Sequence, residues 1–300
     1  MIKTLLKYRN YFLSFSILLV ISSMLVISLF GFKLGIDFTS GSLWQIRAPG
    51  ASTEDIRNFF HNDLSIDEIN ISFDEQTSIY TLSLKELSDG ERKDIAAALQ
   101  ERFGEGTEDL DFWSVSPVVS QELRSKAAWA VVLVLVGISL YITIAFRKVS
   151  KPVSSWKYGL ITLITLSHDV LLPAGLFALL GYLMGVTVDI NFVVALLVVM
   201  GFSVHDTIVI FDRIRENLLE VGDKKSIDEV VDQSIISTMA RSINTSLTLI
   251  LVLVALYLWG PLSLKYFILA ILVGTVAGTY SSIFVASPLL VWAGKRAKRK

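Results

Sequence analysis

The sequence predicts an α-helical integral membrane protein that carries a small α+β domain between its first and second membrane spans. Of its 300 residues, 53% are hydrophobic and only 18% are charged, whereas soluble domains average about 25% charged residues. Six apolar stretches are each long enough to cross a bilayer, since about 20 helical residues span its hydrocarbon core. One polar segment, residues 31–126, separates the first stretch from the other five. These observations predict six transmembrane helices and one domain outside the membrane.

The first apolar stretch resembles a signal peptide because Lys3, Lys7 and Arg9 precede it. Its apolar run is too long for that role, and no small-x-small cleavage site follows before Gly31, so we interpret it as an uncleaved anchor. The predicted spans are 11–30, 127–146, 158–182, 190–211, 243–260 and 264–292. The predicted organisation is a cytoplasmic N-terminus with the first span (1–30), a periplasmic domain (31–126), a five-span bundle (127–293) with a cytoplasmic loop at about 212–242, and a basic tail (294–300).

The placement of lysine and arginine predicts the orientation, because these residues favour the cytoplasmic side. The N-terminus, the 147–157 and 212–242 loops and the tail hold 17 basic residues between them. The other side has nine in the long 31–126 segment and only Lys265 elsewhere. Both termini are therefore expected in the cytoplasm and residues 31–126 on the opposite side of the membrane. The basic tail is expected to anchor on anionic lipid or to contact a protein partner.

The segment 31–126 has the pattern of a folded domain. Its elements are predicted in the order strand 42–47, helix 53–62, strand 66–73, strand 77–84, helix 89–102 and strand 110–116. Ser52 with Asp55, and Ser88 with Glu91, have the spacing of capping boxes at the starts of the two helices. The order β-α-β-β-α-β is that of a ferredoxin-like sandwich. Its 18 acidic and 9 basic residues make it an acidic domain without a nucleic-acid surface.

Ionisable residues inside predicted spans are candidate functional residues, because an unpaired charge at the centre of a membrane helix costs about 2.5–3.5 kcal/mol on insertion scales. His168 and Asp169 lie in the third span and His205 and Asp206 in the fourth, while Arg241 precedes the fifth. The polar stripes expected to carry them are Thr162, Thr165 and Asp169; Ser203, Asp206 and Thr207; and Arg241, Asn244, Thr245 and Thr248. These stripes are expected to face one another or a partner.

Two interpretations of Asp206 and Arg241 remain open on these residues alone. Burial favours the neutral carboxyl group and a nearby guanidinium favours the carboxylate, so the pair could titrate as the helices move. The alternative is a static buried salt bridge. Each histidine, likewise, has either a structural or a proton-carrying role.

Other kinds of site fit the sequence less well. Adjacent residues on a helix point about 100° apart, so a His-Asp dipeptide normally offers a metal only one ligand. An aspartyl protease lacks its flanking glycine pattern, and Ser167 beside His168 has the wrong geometry for a serine protease. With no cysteine in the chain, a disulfide or thiolate zinc site is excluded. We expect no enzyme activity, no metal and no cofactor other than protons. Gly274, Gly278 and Ser282 form a small-xxx-small ladder that suits packing within the chain or between subunits.

Five motifs, in order along essentially the whole chain, resemble the SecF family of bacterial protein export. Gly35, Asp37 and Gly41 belong to a GIDFTSG stretch, and Pro117 to the 114–123 stretch SVSPVVSQEL. The His168-Asp169 pair is the third motif. The most specific runs from Gly201 to Asn217, GFSVHDTIVIFDRIREN, and the last is RSINTS from Arg241 to Ser246.

The resemblance implies a proton-driven membrane machine of the resistance-nodulation-division superfamily. In that family SecF pairs with SecD, docks on the SecYEG channel, admits a small YajC-like subunit, and uses the proton-motive force to help draw preprotein across the membrane. Asp206 would be the protonatable carboxylate and Arg241 its coupled cation, with His205, His168, Asp169 and Asn244 beside them.

The sequence departs from the family pattern at three positions. Ser40 and Ser116 replace glycines, and His205 stands where the family usually has asparagine. Two other functions stay open: a half-size exporter of lipids or small molecules from the same superfamily, and a membrane scaffold whose buried charges are structural.

Overall fold

The computed structural model describes residues 5–66, 68–74, 77–104, 106–147 and 153–298. Lys3, residues 148–152 of the predicted 147–157 loop, and the last two residues of the predicted tail lie outside these ranges. Leu34–Ala127 forms one compact unit, called here the outer unit, and the chain on either side of it forms a second, the helical bundle.

Ten α-helices and four strands are present in the described ranges. The helices are α1 (Arg9–Phe30), α2 (Ile36–Thr39), α3 (Thr53–Asn58), α4 (Asp89–Phe103), α5 (Pro117–Ala145), α6 (Ser155–Met184), α7 (Ile190–Val221), α8 (Ile227–Trp259), α9 (Lys265–Ser281) and α10 (Ser287–Lys298). The strands are β1 (Gly41–Arg47), β2 (Asn70–Asp74), β3 (Ile79–Leu84) and β4 (Glu108–Val115). Short 3-10 turns occupy Leu5–Tyr8, Gly222–Lys224 and Leu262–Leu264, and π-helical turns occupy Phe59–Asp63 and Ser282–Ala286.

The predicted class, six membrane-length helices with a small sheet domain, is confirmed. Six helices of the described chain are long and apolar enough to cross a membrane, the last of them running through α9, the π-turn and α10. Several helices are longer than their predicted spans, because hydropathy detects only the apolar part of a helix. Thus α5 begins at Pro117, a residue suited to the first helical position.

The predicted 212–242 loop is largely helical. Helix α7 continues to Val221 and α8 begins at Ile227. The true start of α8 is marked by a third capping box, in which Ser226 accepts from the N–H of Glu229 while the Glu229 carboxylate accepts from the N–H of Ser226. This Ser-x-x-Glu spacing is visible in the sequence and marks a helix start.

The outer unit has the predicted ferredoxin-like topology. Its sheet has the order β2-β3-β1-β4, with every neighbouring pair antiparallel. Strand β2 begins at Asn70 rather than at residue 66, because the preceding residues close the helix: Ser65 has a φ of +55° and the N–H of Ile66 bonds the carbonyl of Phe60. Trp44 is fully buried at the centre of the core, and its indole N–H donates to Asp109 at 2.8 Å.

Both predicted capping boxes of the outer unit are confirmed. Ser52 caps α3 with Asp55, and Ser88 caps α4 with Glu91. The hydroxyl and backbone N–H of Ser52 donate to the Asp55 carboxylate and lower the pKa of Asp55. The backbone N–H and hydroxyl of Ser88 lower the pKa of Glu91 in the same way.

The first motif forms the one-turn helix α2 and the start of β1. The carbonyl of Gly35 accepts from the N–H groups of Phe38 and Thr39. Gly41 has a φ of +125°, and a Cβ atom there would lie 2.5 Å from the carbonyl oxygen of Leu84, so the position requires glycine. Ser40 has φ +65° and ψ 166°, a conformation that is essentially restricted to glycine.

The interior of the bundle is formed mainly by α6, α7 and the last span. Within the most apolar stretch of each helix, 56% of the residues of α6, 44% of those of α7 and 61% of those of the last span are buried. The corresponding values are 6% for α1 and 11% for α5. The small-xxx-small ladder packs within the chain: a Cβ atom on Gly274 would lie 2.3 Å from Val199, and one on Gly278 would lie 2.8 Å from Ser203. Helices α7 and α9 therefore approach closely beside the predicted site.

Candidate functional site

Asp169 joins three helices of the bundle. Its carboxylate is completely buried and accepts hydrogen bonds from Ser203 Oγ of α7 at 2.5 Å and from Ser281 Oγ of α9 at 2.8 Å. A third contact, at 2.8 Å, comes from Nδ1 of the neighbouring His168 on α6. The sequence argument that adjacent residues on a helix point apart fails here, because the two side chains turn toward each other and bond directly.

The imidazole of His168 is held on one side only. Its ring lies parallel to that of Tyr280, with centroids 6.4 Å apart. Its Nε2 is buried and has no hydrogen-bond partner in the described ranges.

The π-helical turn at Ser282–Ala286 directly follows Ser281, at the end of α9. The hydroxyl of Ser287 bonds the carbonyl of Ser282, five residues back. Such turns occur often at functional sites because they displace side chains from the regular helical positions.

Asp206 forms a second buried cluster, between α7, α8 and α9. It is 2% exposed, and its Oδ2 accepts from Ser246 Oγ of α8 at 3.2 Å. Ser246 in turn accepts from Thr279 Oγ1 of α9 at 2.7 Å. Within the described ranges, Asp206 thus accepts one hydrogen bond, from the neutral hydroxyl of Ser246, with Ser242 of α8 also interacting with its carboxylate, whereas Asp169 accepts from three residues.

The structure does not bring Arg241 to Asp206. Arg241 is exposed, as are Asn244, Thr245 and Thr248, and no ion pair joins Asp206 to Arg241 in the part of the chain that the structure describes. The static salt bridge is therefore absent from the isolated subunit. Of the three predicted polar stripes, those of α6 and α7 are buried against one another, while that of α8 faces outward.

His205 and Gly201 lie on the outward surface of α7. Both are exposed, and a Cβ atom on Gly201 would meet open space. The packing of the isolated chain thus gives no reason for glycine at this position.

The remaining motif residues belong to the outer unit and to α5. Asp37 is half-buried in α2, close to the strained Ser40–Gly41 corner. Pro117 begins α5, and its carbonyl accepts from the hydroxyl of Ser120. We interpret Gly35, Gly41 and Pro117 as positions set by backbone geometry.

Sequence reasoning missed Ser246, Thr279 and Ser281 as site residues. The signal was present, since Thr279 to Ser282 is a polar run within an apolar span. Helix α8 also has an inward polar face that the prediction did not include: Ser242 and Ser246, at 1% and 2% exposure, point inward. No group of three or more histidine, aspartate or glutamate side chains within the described ranges is arranged to hold a metal ion.

Comparison with known proteins assigns the family. A family model described as "Protein export membrane protein SecD/SecF, C-terminal" matches residues 95–296, more than half of the chain. The chain belongs to the SecD/SecF family. The "Protein translocase subunit SecF" of Thermobaculum terrenum is 42% identical over 97% of this chain and 94% of its own length.

Solved structures of the SecD/SecF family have the same fold. SecDF from Thermus thermophilus, described as a translocon-associated membrane protein, matches 96% of this chain with a TM-score of 0.81 and 33% identity. SecDF in a super-membrane-facing form matches 99% of it with a TM-score of 0.70 and 31% identity. This chain spans only 38% and 39% of those two longer chains. The family match includes Asp169, Asp206 and Arg241, so all three lie in the part that defines the SecD/SecF family.

Proposed function

We propose that the chain is a non-enzymatic accessory subunit of Sec protein translocation in the bacterial inner membrane, and that it works with a SecD-type subunit. Two observations support this role: the similarity to SecF translocase subunits along nearly the whole chain, and the match to one part of longer SecDF chains. The remainder of those chains corresponds to what a separate SecD-type partner would supply.

The observation that carries the proposal is the outward polar face of α8. Arg241, Asn244, Thr245 and Thr248 are exposed on a helix otherwise apolar enough to span a membrane. Exposure of an arginine to lipid costs up to about 2.5–3.5 kcal/mol on insertion scales, the value for the centre of a membrane helix, and Arg241 lies near the start of the apolar part of α8. A helical partner packed against this face removes that cost, and the exposed His205 and Gly201 of α7 extend the same kind of surface.

Asp206 is the proposed proton carrier. It is buried, its hydrogen bond comes from a neutral hydroxyl, and the exposed Arg241 of the same subunit makes no ion pair with it in the described ranges. In the assembled complex Arg241 would act as the coupled cation, so that uptake and release of a proton at Asp206 change the packing of α7 against α8. His205 and Asn244 would border this site. The proton-carrying role predicted for His168 and Asp169 remains a prediction.

The rest of the predicted arrangement belongs to the same proposal. Both termini lie in the cytoplasm, and the outer unit lies in the periplasm, where it contacts the emerging preprotein. The complex docks on SecYEG, with a YajC-like subunit beside it, and the basic tail lies on anionic lipid. Protons are the only cofactor, and nucleic acid is not a partner.

Asp206→Asn tests this function, because asparagine is similar in shape and cannot ionise. The variant is reconstituted with its SecD-type partner, and preprotein translocation is measured with and without a proton-motive force. Loss of the part that depends on the proton-motive force is expected, with assembly unchanged. Asp212→Asn, which alters an exposed carboxylate that pairs with Arg215, is the matched control and should behave as wild type.

Two outcomes would contradict the proposal. Full stimulation by the proton-motive force in Asp206→Asn would favour a scaffold with structural charges. Failure of any SecD-type subunit to co-purify, together with transport of lipids or small molecules, would favour the half-size exporter.

A further inference from the structure

A row of hydroxyl groups leads to Asp206 from α9. Thr279 Oγ1 donates to Ser246 Oγ at 2.7 Å, and Ser246 Oγ donates to Asp206 Oδ2 at 3.2 Å. A carboxylate has no proton to give, so the hydroxyl of Ser246 must donate to it, and Ser246 must then accept from Thr279. Both hydrogen bonds therefore point toward Asp206, which is the order required for a proton to move in that direction.

A further buried hydroxyl lies beyond each end of the row. Thr275 lies one helical turn before Thr279 on α9, and Ser242 lies one turn before Ser246 on α8. Thr275 is 0% exposed and Ser242 is 1% exposed. The Thr275 hydroxyl has no hydrogen-bond partner in the described ranges, whereas the side chain of Ser242 faces the Asp206 carboxylate and interacts with it. Buried polar groups are nearly always paired, with protein or with ordered water, so an unpaired one indicates a place where water or a transferred proton is accommodated.

The hydroxyl of Thr279 has a choice of acceptors. Besides Ser246 Oγ, the carbonyl oxygen of Thr275 lies 2.8 Å from Thr279 Oγ1. A rotation about its Cβ–Oγ1 bond can therefore move its proton between the neighbouring helix and its own helix. A relay needs such a group, because each hydroxyl must rotate back to its starting orientation after it has passed on its proton.

We propose that Thr275, Thr279 and Ser246 form a proton relay that supplies Asp206 from the end of the bundle at which α9 begins. This inference rests on the proposed function of Asp206. Ser246 transfers its proton to the carboxylate and takes the proton of Thr279. Thr279 takes a proton from a water molecule held at Thr275, and that water takes one from the solvent at this end of the bundle, so one O–H bond forms for each one that breaks, and nothing is oxidised. Ser242 lies on the other side of Asp206, toward the end of the bundle where α8 begins.

The titratable groups around this row are bound elsewhere or face outward. His168 and Asp169 bond each other, and Asp169 also bonds Ser203 and Ser281. Tyr280 donates to the carbonyl of Phe12 in α1. His205 and Arg241 are exposed. Asp206 is therefore the titratable group to which these hydroxyls lead.

The test measures proton flux through the full complex with its SecD-type partner in proteoliposomes that contain a pH-sensitive dye. An imposed pH gradient drives the flux, in H₂O and in D₂O. Thr279→Val keeps the shape of the side chain and removes the hydroxyl, so at least a tenfold fall in flux is expected. Ser246→Ala should show a similar fall. Thr279→Ser, which restores the hydroxyl, should return the flux to within twofold of wild type and retain its solvent isotope effect.

Ser167→Ala is the matched control. Its hydroxyl lies in a span but bonds only the carbonyl of Leu163 on its own helix, at 2.8 Å, so its removal should leave the flux unchanged. Wild-type flux in either Thr279→Val or Ser246→Ala would overturn the relay. If Thr279→Val does not assemble, Ser246→Ala and the comparison of Thr279→Ser with Thr279→Ala decide the matter.

Asp206→Asn separates failure of the relay from failure of the proposed function. Loss of flux in Asp206→Asn with wild-type flux in Thr279→Val would refute only the relay. Wild-type flux in Asp206→Asn would refute proton transfer at Asp206, and the relay with it.

Discussion

Replacing Asp169 and Asp206 separately by alanine tests whether the two buried carboxylates have different roles. The two substitutions remove the same atoms from equally buried positions, so the contributions of the resulting cavities are similar. What differs is the number of donors left without an acceptor. Asp169 accepts from His168, Ser203 and Ser281, whereas Asp206 accepts from Ser246.

The expected loss of stability follows from these contacts. A hydrogen bond to a charged group contributes about 1.5–3 kcal/mol. In Asp169→Ala the hydroxyl of Ser281 can bond the carbonyl of Gly278, already 3.2 Å away, which leaves two donors unpaired. Asp169→Ala should therefore lower the free energy of unfolding by about 3–6 kcal/mol, and Asp206→Ala by about 1.5–3 kcal/mol.

Unfolding of the purified subunit in mixed micelles, with increasing SDS and tryptophan fluorescence as the signal, measures both values. Ser167→Ala is the control. Ser167 lies in the same helix as Asp169, but its hydroxyl bonds the carbonyl of Leu163 and not a carboxylate, so this variant should have the wild-type midpoint. A loss in Asp206→Ala equal to or greater than that in Asp169→Ala would refute the reasoning. So would an Asp169→Ala midpoint close to wild type.

Three further predictions concern the backbone and the caps. Ser40→Gly should stabilise the outer unit by about 1 kcal/mol, because the conformation of Ser40 suits glycine. Urea unfolding should show this gain, and Ser40→Ala should give none. Gly278→Ala should destabilise the bundle by about 1–3 kcal/mol through overpacking, whereas Gly137→Ala, whose added methyl group meets open space, should not; the SDS midpoints compare them. Because the pKa values of Asp55 and Glu91 are lowered from 3.8 and 4.5, their caps contribute stability above those ordinary values and lose it as pH falls through the lowered ones. The urea midpoint should therefore drop between about pH 5 and pH 2, and a constant midpoint would contradict this.

Local patterns in the sequence predicted most of the fold. Six apolar runs located the six spans, and two capping boxes located the helices of the outer unit, because both signals depend on neighbouring residues alone. Helix ends outside the membrane were less well predicted. Helices α7 and α8 extend well past their apolar parts, and the Ser226 cap that begins α8 was not used.

The candidate site was predicted in part. Asp169 and Asp206 were identified because a charge within an apolar span is conspicuous. Ser246, Thr279 and Ser281 were missed, because serine and threonine are common in membrane helices and become significant only next to a carboxylate. The predicted stripe of α8, which begins at Arg241, faces outward, where a partner could cover it, while Ser242 and Ser246 on the other side of the helix point inward.

By itself the sequence determined the membrane class, the six spans, the topology of the outer unit, the family and the two buried acids, since each of these is encoded in composition, periodicity or a contiguous motif. Only the tertiary structure decided that Asp169 binds three helices together, that Asp206 faces hydroxyl groups of α8, and that Arg241 points away from both. The reason is physical. A helix presents its side chains in every direction around its axis, and which direction is inward depends on the neighbouring helices, whose approach is set here by the contacts of Gly274 with Val199 and of Gly278 with Ser203.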